Sequence, residues 1–208
     1  MRRDAPSAQL SASADRLVTA LRRAIRATHR LSPDNSLDGL AGSAEQLADA
    51  MEAAGTLDIV QPMSEHQTRH PLVGQMNPIA PPVVFDSVDG VVIGRARFHE
   101  GYQGPPQCVH GGWIASLFDD ALGRTQRDLG RYGVTGSLSV TYKRPTPINT
   151  DLEVRAHIEE LRERRFRAVG ELWCRGEITA TAEAWFIFIA DEKFTALTGD
   201  DNSSQSAN

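Results

Sequence analysis

Cysteine is scarce in this chain. Cys108 and Cys174 are the two it has, too few for a disulfide framework or a cysteine-based zinc site, so both read as reduced thiols of an intracellular protein. No stretch approaches the roughly 20 consecutive apolar residues that a bilayer-crossing helix needs, which excludes a membrane span by helix. A basic surplus is missing too: the net charge is −5, and phosphate backbones are bound by an excess of Lys and Arg, so a general nucleic-acid partner is not expected. Lysine is nearly absent, with Arg making up 20 of the 22 basic residues. That habit bears on the N-terminus, where Met1 to Arg30 is rich in Arg, Ala and Ser and poor in acids, the composition of an organelle transit peptide. Because arginine richness runs through the whole chain, as a GC-rich coding bias produces, we expect a bacterial-type cytoplasmic protein, or a mitochondrial-matrix one if eukaryotic.

What remains suits one domain with an appendage; 208 residues bury a real core. Leu17, Leu21, Ala24, Ile25 and Thr28 keep helical spacing with arginines on the remaining face, an amphipathic helix expected to pack its stripe on the domain. Ser43 to Ala54 reads as a second short helix stopped by Gly55. The proline-rich stretch Gln61 to Pro82 reads as an ordered loop. Its His66 and His70 are four apart, a spacing open to metal ligation, but Pro71 and the lack of a Glu after His66 argue against a zincin motif, and no metal is expected. Val83–Val88 and Val91–Phe98 flank Asp89-Gly90, a hairpin signal. After Gly133, Val134, Gly136, Leu138, Val140 and Tyr142 alternate with Thr135, Ser137, Ser139, Thr141 and Lys143, a strand with one apolar and one polar face. Leu152, Val154, Ala156 and Ile158 alternate with charged residues in the next strand, and Phe166 to Cys174 with Glu177 to Ile189 read as a final hairpin turning at Arg175-Gly176, the last strand apolar on both faces near Trp185 to Ile189 as a central strand would be. The predicted organisation is a helical extension over 1–60, a domain over 61–190 and a tail over 191–208 that lacks apolar residues to order it.

Between the first hairpin and these strands lies Gly101 to Gly123. Pro105 and Pro106 hold an extended approach. Ile114, Leu117, Phe118, Ala121 and Leu122 then fall at i, i+3, i+4, i+7 and i+8, one face of a buried helix. His110-Gly111-Gly112 therefore stands at a helix N-terminus, where the first amides lack internal partners; Gly111 and Gly112 would offer N–H donors to a carbonyl gaining negative charge. Asp119 and Asp120 lie further along, and helical geometry does not choose between them as a general base. A hairpin, one long apolar helix and several antiparallel strands make an α+β domain.

Gly104-Pro105-Pro106, Val109-His110-Gly111-Gly112, Asp119 nine positions after His110, Thr135, and Tyr142-Lys143-Arg144-Pro145-Thr146-Pro147 together resemble the hotdog-fold acyl-CoA thioesterases, in particular their PaaI-like and mitochondrial members. The likeness runs from about Pro81 to Ile189. It implies an antiparallel sheet wrapped around one central helix, hydrolysis of acyl-CoA to the acid and free coenzyme A, and no cofactor beyond the coenzyme A of the substrate. It selects Asp119 as the acid/base or nucleophilic carboxylate. By the same likeness Gly111 polarises the thioester carbonyl, His110 orients substrate or water, and the Thr135 hydroxyl holds the attacking water. Gly112 would assist at the substrate, and Thr141, Lys143, Arg144, Arg164 and Arg165 match the coenzyme A-contacting positions. Trp113 departs from the smaller residue that relatives commonly carry.

His110 and Asp119 are nine residues apart, roughly 13 Å along a helix rising about 1.5 Å per residue. One thioester carbon cannot touch both, so if both act the site is shared across a two-fold homodimer, or a dimer of dimers. The competing reading is a non-catalytic acyl-CoA-binding or regulatory hotdog protein. A hotdog hydratase is disfavoured because Asp119 and Asp120 are followed by Arg124 and Thr125 rather than by the His such a pairing needs.

Overall fold

The computed structural model describes residues 11–32, 36–55 and 69–190. In chain order the elements are α1 (Ala12–Thr28), α2 (Asp38–Ala53), β1 (Val83–Val88), β2 (Val91–Ala96), α3 (Gly111–Arg124), β3 (Gly133–Tyr142), β4 (Leu152–Leu161), β5 (Arg165–Cys174) and β6 (Glu177–Phe188), with short 3-10 turns at Glu100–Tyr102 and Arg127–Leu129. The six strands form one antiparallel sheet in the order β1-β2-β4-β5-β6-β3. Both predicted hairpin turns close through paired left-handed residues, Asp89 (φ 51) with Gly90 (φ 78) and Arg175 (φ 51) with Gly176 (φ 82). That backbone twist matches the twist of the flanking strands.

Helix α3 buries the stripe read from its spacing: Ile114, Leu117, Phe118, Ala121 and Leu122 are each at most 3% exposed. Each larger side chain contributes about 1.5–3 kcal/mol by leaving water. The sheet can wrap this closely because the strands facing α3 present small residues, Ala168 and Gly170 on β5 and Ala180, Ala182 and Ala184 on β6, all buried. Stacked Phe166 and Phe186, 4.7 Å between centroids, fill the space below the end of the helix. This is the hotdog arrangement, a sheet curled around one helix.

Two details depart from the sequence expectation. Strand β6 lies between β5 and β3, as its composition suggested, yet Ile187 on its outer face is 42% exposed, so that face is uncovered in the single chain. Helix α2 begins at Asp38, five residues before the expected Ser43, with the acid Asp38 in its first turn, where a negative charge suits the helix dipole.

The N-terminal helix docks on the domain. Val18 is 2% exposed, with Leu17, Leu21 and Ile25 half-buried beside it, while Ala24 and Thr28 stay in water. The Arg22 guanidinium donates to the carbonyls of Gly74 (3.3 Å) and Asn77 (3.1 Å). It thereby pins a proline-rich loop whose Leu72 and Ala80 are buried. His66 and the tail from Asp191 lie outside the described residues.

Candidate functional site

His110 is the N-cap of α3, and its Nδ1 accepts the Gly112 N–H at 3.0 Å. An imidazole nitrogen that accepts carries no proton, so the neutral ring holds its hydrogen on Nε2, facing solvent. The Gly112 amide is thus used inside the turn, which corrects the expectation of two bare donors. The Gly111 N–H has no hydrogen-bond acceptor among the described residues. Its carbonyl is fixed from the other side: Tyr142, the last residue of β3, donates its hydroxyl to Gly111 O at 2.8 Å. A Cβ at position 111 would stand 3.1 Å from that hydroxyl oxygen, so the close approach favours glycine. Sequence reading quoted Tyr142 within a motif and gave it no role, although the strand alternation already put it on the apolar face.

Eight residues further along α3, roughly 12 Å at the helical rise, Asp119 accepts a hydrogen bond from the Thr135 hydroxyl at 2.8 Å, both side chains being exposed. The strict alternation predicted for β3 would have sent Thr135 to the face away from α3. A bulge intervenes: the register shifts between Thr135 and Ser137, leaving Gly136 as the extra residue and pairing Thr135 with inward-facing Phe186. Re-aiming one side chain is what a bulge does.

Asp120 has a different environment. Its carboxylate takes Arg124 Nε at 2.9 Å and stands 3.7 Å from His70 Nε2, at 14% side-chain exposure, while the Arg124 guanidinium covers the Phe85 ring at 4.4 Å. His70 Nδ1 accepts the Leu72 N–H at 3.2 Å, which turns Nε2–H toward Asp120. One of the two adjacent aspartates is bound into the interior of the domain and the other looks out over Thr135. The sequence alone could not separate them.

The basic residues divide as well. Lys143 and Arg144 follow Tyr142, with their backbone N–H groups donating to Thr179 O and Arg144 paired with Glu177. Arg165 is opposite Ile187 at the far end of β6, its guanidinium 4.2 Å over the Trp185 ring, and Arg164 precedes it. From Ala180, the partner of Tyr142, to Ile187 is seven residues of strand, roughly 23 Å at about 3.3 Å each. Within a single chain, therefore, the two basic pairs stand apart. Thr141 pairs with Thr181 on the face of β3 away from α3, so within one chain it shares no pocket with Gly111. The Trp113 ring packs edge-on against Tyr102 at 5.0 Å, half-buried in the first turn of α3.

Among the described residues no three His, Cys, Asp or Glu side chains gather as a metal site would, and no helix is long and apolar enough to cross a membrane. A cleft of about 560 Å³ among Arg95, Arg155 and Trp173 is lined by none of the candidate site residues.

Comparison with known proteins follows the same part of the chain. A family model described as the thioesterase superfamily matches residues 107–181. The chain is 31% identical over 96 residues to acyl-coenzyme A thioesterase THEM4 of Mus musculus; the match covers 46% of this chain and 41% of that protein, so the chain spans less than half of that relative's length. A solved thioesterase superfamily protein superposes with a TM-score of 0.77 at 30% identity, over 88% of this chain and 97% of the other. A hypothetical thioesterase protein from Streptococcus pneumoniae TIGR4 shares the fold, with a TM-score of 0.50 at 16% identity over 52% of this chain and 91% of that one.

Proposed function

The chain belongs to the thioesterase superfamily, and on that premise we propose that it hydrolyses an acyl-CoA thioester to the free acid and coenzyme A, at a centre shared by two copies of the chain. The observation that carries this reading is the division of the site along α3. The Gly111 N–H, which has no acceptor among the described residues, and the Asp119 carboxylate lie on one helix but roughly 12 Å apart, and their β3 neighbours, Tyr142 and Thr135, stand toward opposite ends of that strand.

Strand β3 is an edge strand of ten residues, exposed along its outer face and at Thr135 and Tyr142 on the inner one. An edge of that length without a charge until Lys143 invites a second strand. Antiparallel pairing of β3 with its copy about a two-fold axis near Leu138 would, with Gly136 bulged out, set Thr135 of one chain opposite Val140 of the other on the α3 side of the joined sheet, and so bring Asp119 toward the second chain's Tyr142 and Gly111. The same operation would carry Lys143 and Arg144 of one chain to within roughly three strand spacings, about 14 Å, of Arg165 of the other. That reassembles a basic patch for the phosphates of coenzyme A, a ligand that needs fixed cations.

In this arrangement a water sits between the Thr135 hydroxyl oxygen, which accepts one of its protons, and the Asp119 carboxylate. As the water oxygen attacks the thioester carbon, Asp119 takes its proton, and the carbonyl oxygen gains charge against the Gly111 N–H of the second chain. Collapse expels the coenzyme A thiolate, which takes up the proton that Asp119 received and leaves that carboxylate ionised again. His110 presents Nε2–H at the mouth, where it can hold the acyl carbonyl or the water. We place the reaction in the cytoplasm and the assembly at a homodimer or a dimer of dimers. Release of free thiol from a panel of acyl-CoAs tests the activity: thiol appearing with at least one acyl class, and lost in Asp119→Asn, is expected. Binding of acyl-CoA without thiol release across the panel would instead make the chain an acyl-CoA-binding protein.

A further inference from the structure

We propose that α1 is a clamp on the His110–Gly111 turn, acting through Glu100 as a positioning residue; its catalytic consequence rests on the function proposed above, its structural consequence does not. Glu100 opens the 3-10 turn Glu100–Tyr102. Its carboxylate gathers donors from two distant parts of the chain: Arg26 Nε at 3.0 Å and the Arg30 guanidinium, both from α1, and Asn149 Nδ2 at 3.3 Å from the loop before β4. Exposed ion pairs usually hold little in place. Arg26 and Arg30 are themselves 48% and 65% exposed, but they share one carboxylate that is 20% exposed and also takes Asn149, and Asn149 is itself tied by its N–H to Phe98 O at 2.6 Å.

The turn that Glu100 opens continues into the site. His99 caps it, accepting the Gly101 N–H on Nδ1 at 3.0 Å. At its other end the Tyr102 carbonyl accepts the His110 N–H at 2.9 Å, and the buried Tyr102 ring bears edge-on against Trp113. The Tyr102 hydroxyl donates to Ile79 O at 3.2 Å, in the loop held by Arg22 of the same α1. So the residue before Gly111 hangs by its backbone from Tyr102, and the residue after Gly111 is capped by the His110 imidazole. The direction of the Gly111 N–H is set by these two neighbours, and α1 holds the element from which the first of them hangs. Helix α1 thus bears on two segments, the proline-rich loop before β1 through Arg22 and the turn that leads into α3 through Arg26 and Arg30.

The test compares the full chain with Arg26→Ala/Arg30→Ala. Deuterium exchange followed by mass spectrometry should show peptides across 99–113 opening about tenfold or more, while peptides across β4 and β5 stay within about twofold, the mark of a local rather than a global opening. Turnover of acyl-CoA should fall about tenfold in kcat with KM within about threefold, as expected when a catalytic group is displaced and substrate contacts are kept. Arg26→Lys/Arg30→Lys should restore most of both, and Glu100→Gln should reproduce the defect from the other side. Unchanged exchange over 99–113, or a uniform rise in all peptides, overturns the clamp. If the wild-type chain releases no thiol, the proposed activity fails while the exchange comparison still decides the clamp.

Discussion

The two neighbouring aspartates of α3 make opposite predictions for activity and stability. Asp120→Asn removes the charge that neutralises Arg124, and both groups are under 20% exposed. Stranding one partner of a fully buried pair costs about 3–5 kcal/mol and of an exposed pair about 0–1, so a site between these limits should lose about 1–3 kcal/mol. For a chain of this size each kcal/mol moves Tm by about 2–4 °C, which puts the loss at about 2–12 °C. Turnover should stay within about fivefold, since a shift near 1 kcal/mol in the alignment of α3 is the largest effect expected. Asp119→Asn runs the other way. Asn keeps an acceptor for the Thr135 hydroxyl, and that bond is exposed, so stability should change by at most about 1 kcal/mol. Loss of the proton acceptor should reduce kcat by about a hundredfold or more. Differential scanning calorimetry and thiol release on both purified variants give the four numbers. If Asp119→Asn is the more destabilised of the two, or if both lose turnover equally, the division of labour drawn from His70, Arg124 and Thr135 is wrong.

Mixing inactive Asp119→Asn chains with inactive Gly111→Pro chains should restore up to about half of the wild-type activity per dimer, because in a shared site one centre of each heterodimer inherits neither lesion; native mass spectrometry confirming heterodimers without activity would sink the shared centre. Arg164→Ala/Arg165→Ala should raise KM for acyl-CoA while leaving an acyl-pantetheine, which lacks the nucleotide phosphates, nearly untouched, and equal losses on both would make these arginines structural. Glu100 is held at about 2, below its ordinary 4.5, first by a backbone hydrogen bond and then by Arg30, Arg26 and Asn149. A depressed carboxylate adds stability that is fully present above its unfolded value and lost as pH falls through its folded one, so the Tm advantage of wild type over Glu100→Gln should be constant above pH 4.5, shrink between 4.5 and 2, and vanish below. An advantage that persists unchanged to pH 2 would refute that assignment.

Wherever a period carries the information, the fold was readable: the i, i+3, i+4 stripe of α3, the alternation in β4 and the two turn dipeptides are local physics, and the residues so predicted are the buried or turning ones. Contacts between distant segments carry none of that signal. Nothing in Arg22, Arg26 or Arg30 separates an anchor from a solvated charge until the loop at Gly74 and the Glu100 turn are folded beneath them. The same limit hid Val18, which sits between expected stripe residues and is the most buried of them.

Thr135 shows how one residue decides the issue. Period-2 reading of β3 groups it with Thr141 on the polar face, and in an unbroken strand that grouping would hold, leaving Asp119 without a hydroxyl beside it. The bulge at Gly136 adds one residue, and from that point toward Gly133 the faces exchange: Thr135 joins Tyr142 on the side of α3 while Thr141 stays on the other. The strand thus presents a hydroxyl to each half of the divided site, Thr135 to Asp119 and Tyr142 to Gly111, at a separation that matches the two ends of the helix. Closing the bulge with Gly136 retained would put Gly136 opposite Phe186, slip this end of β3 by one position against β6 and turn Thr135 outward, whereas deleting Gly136 would leave Thr135 opposite Phe186 and still on the side of α3. The divided site therefore depends on a local irregularity of the strand, which a search for regular periodicity passes over.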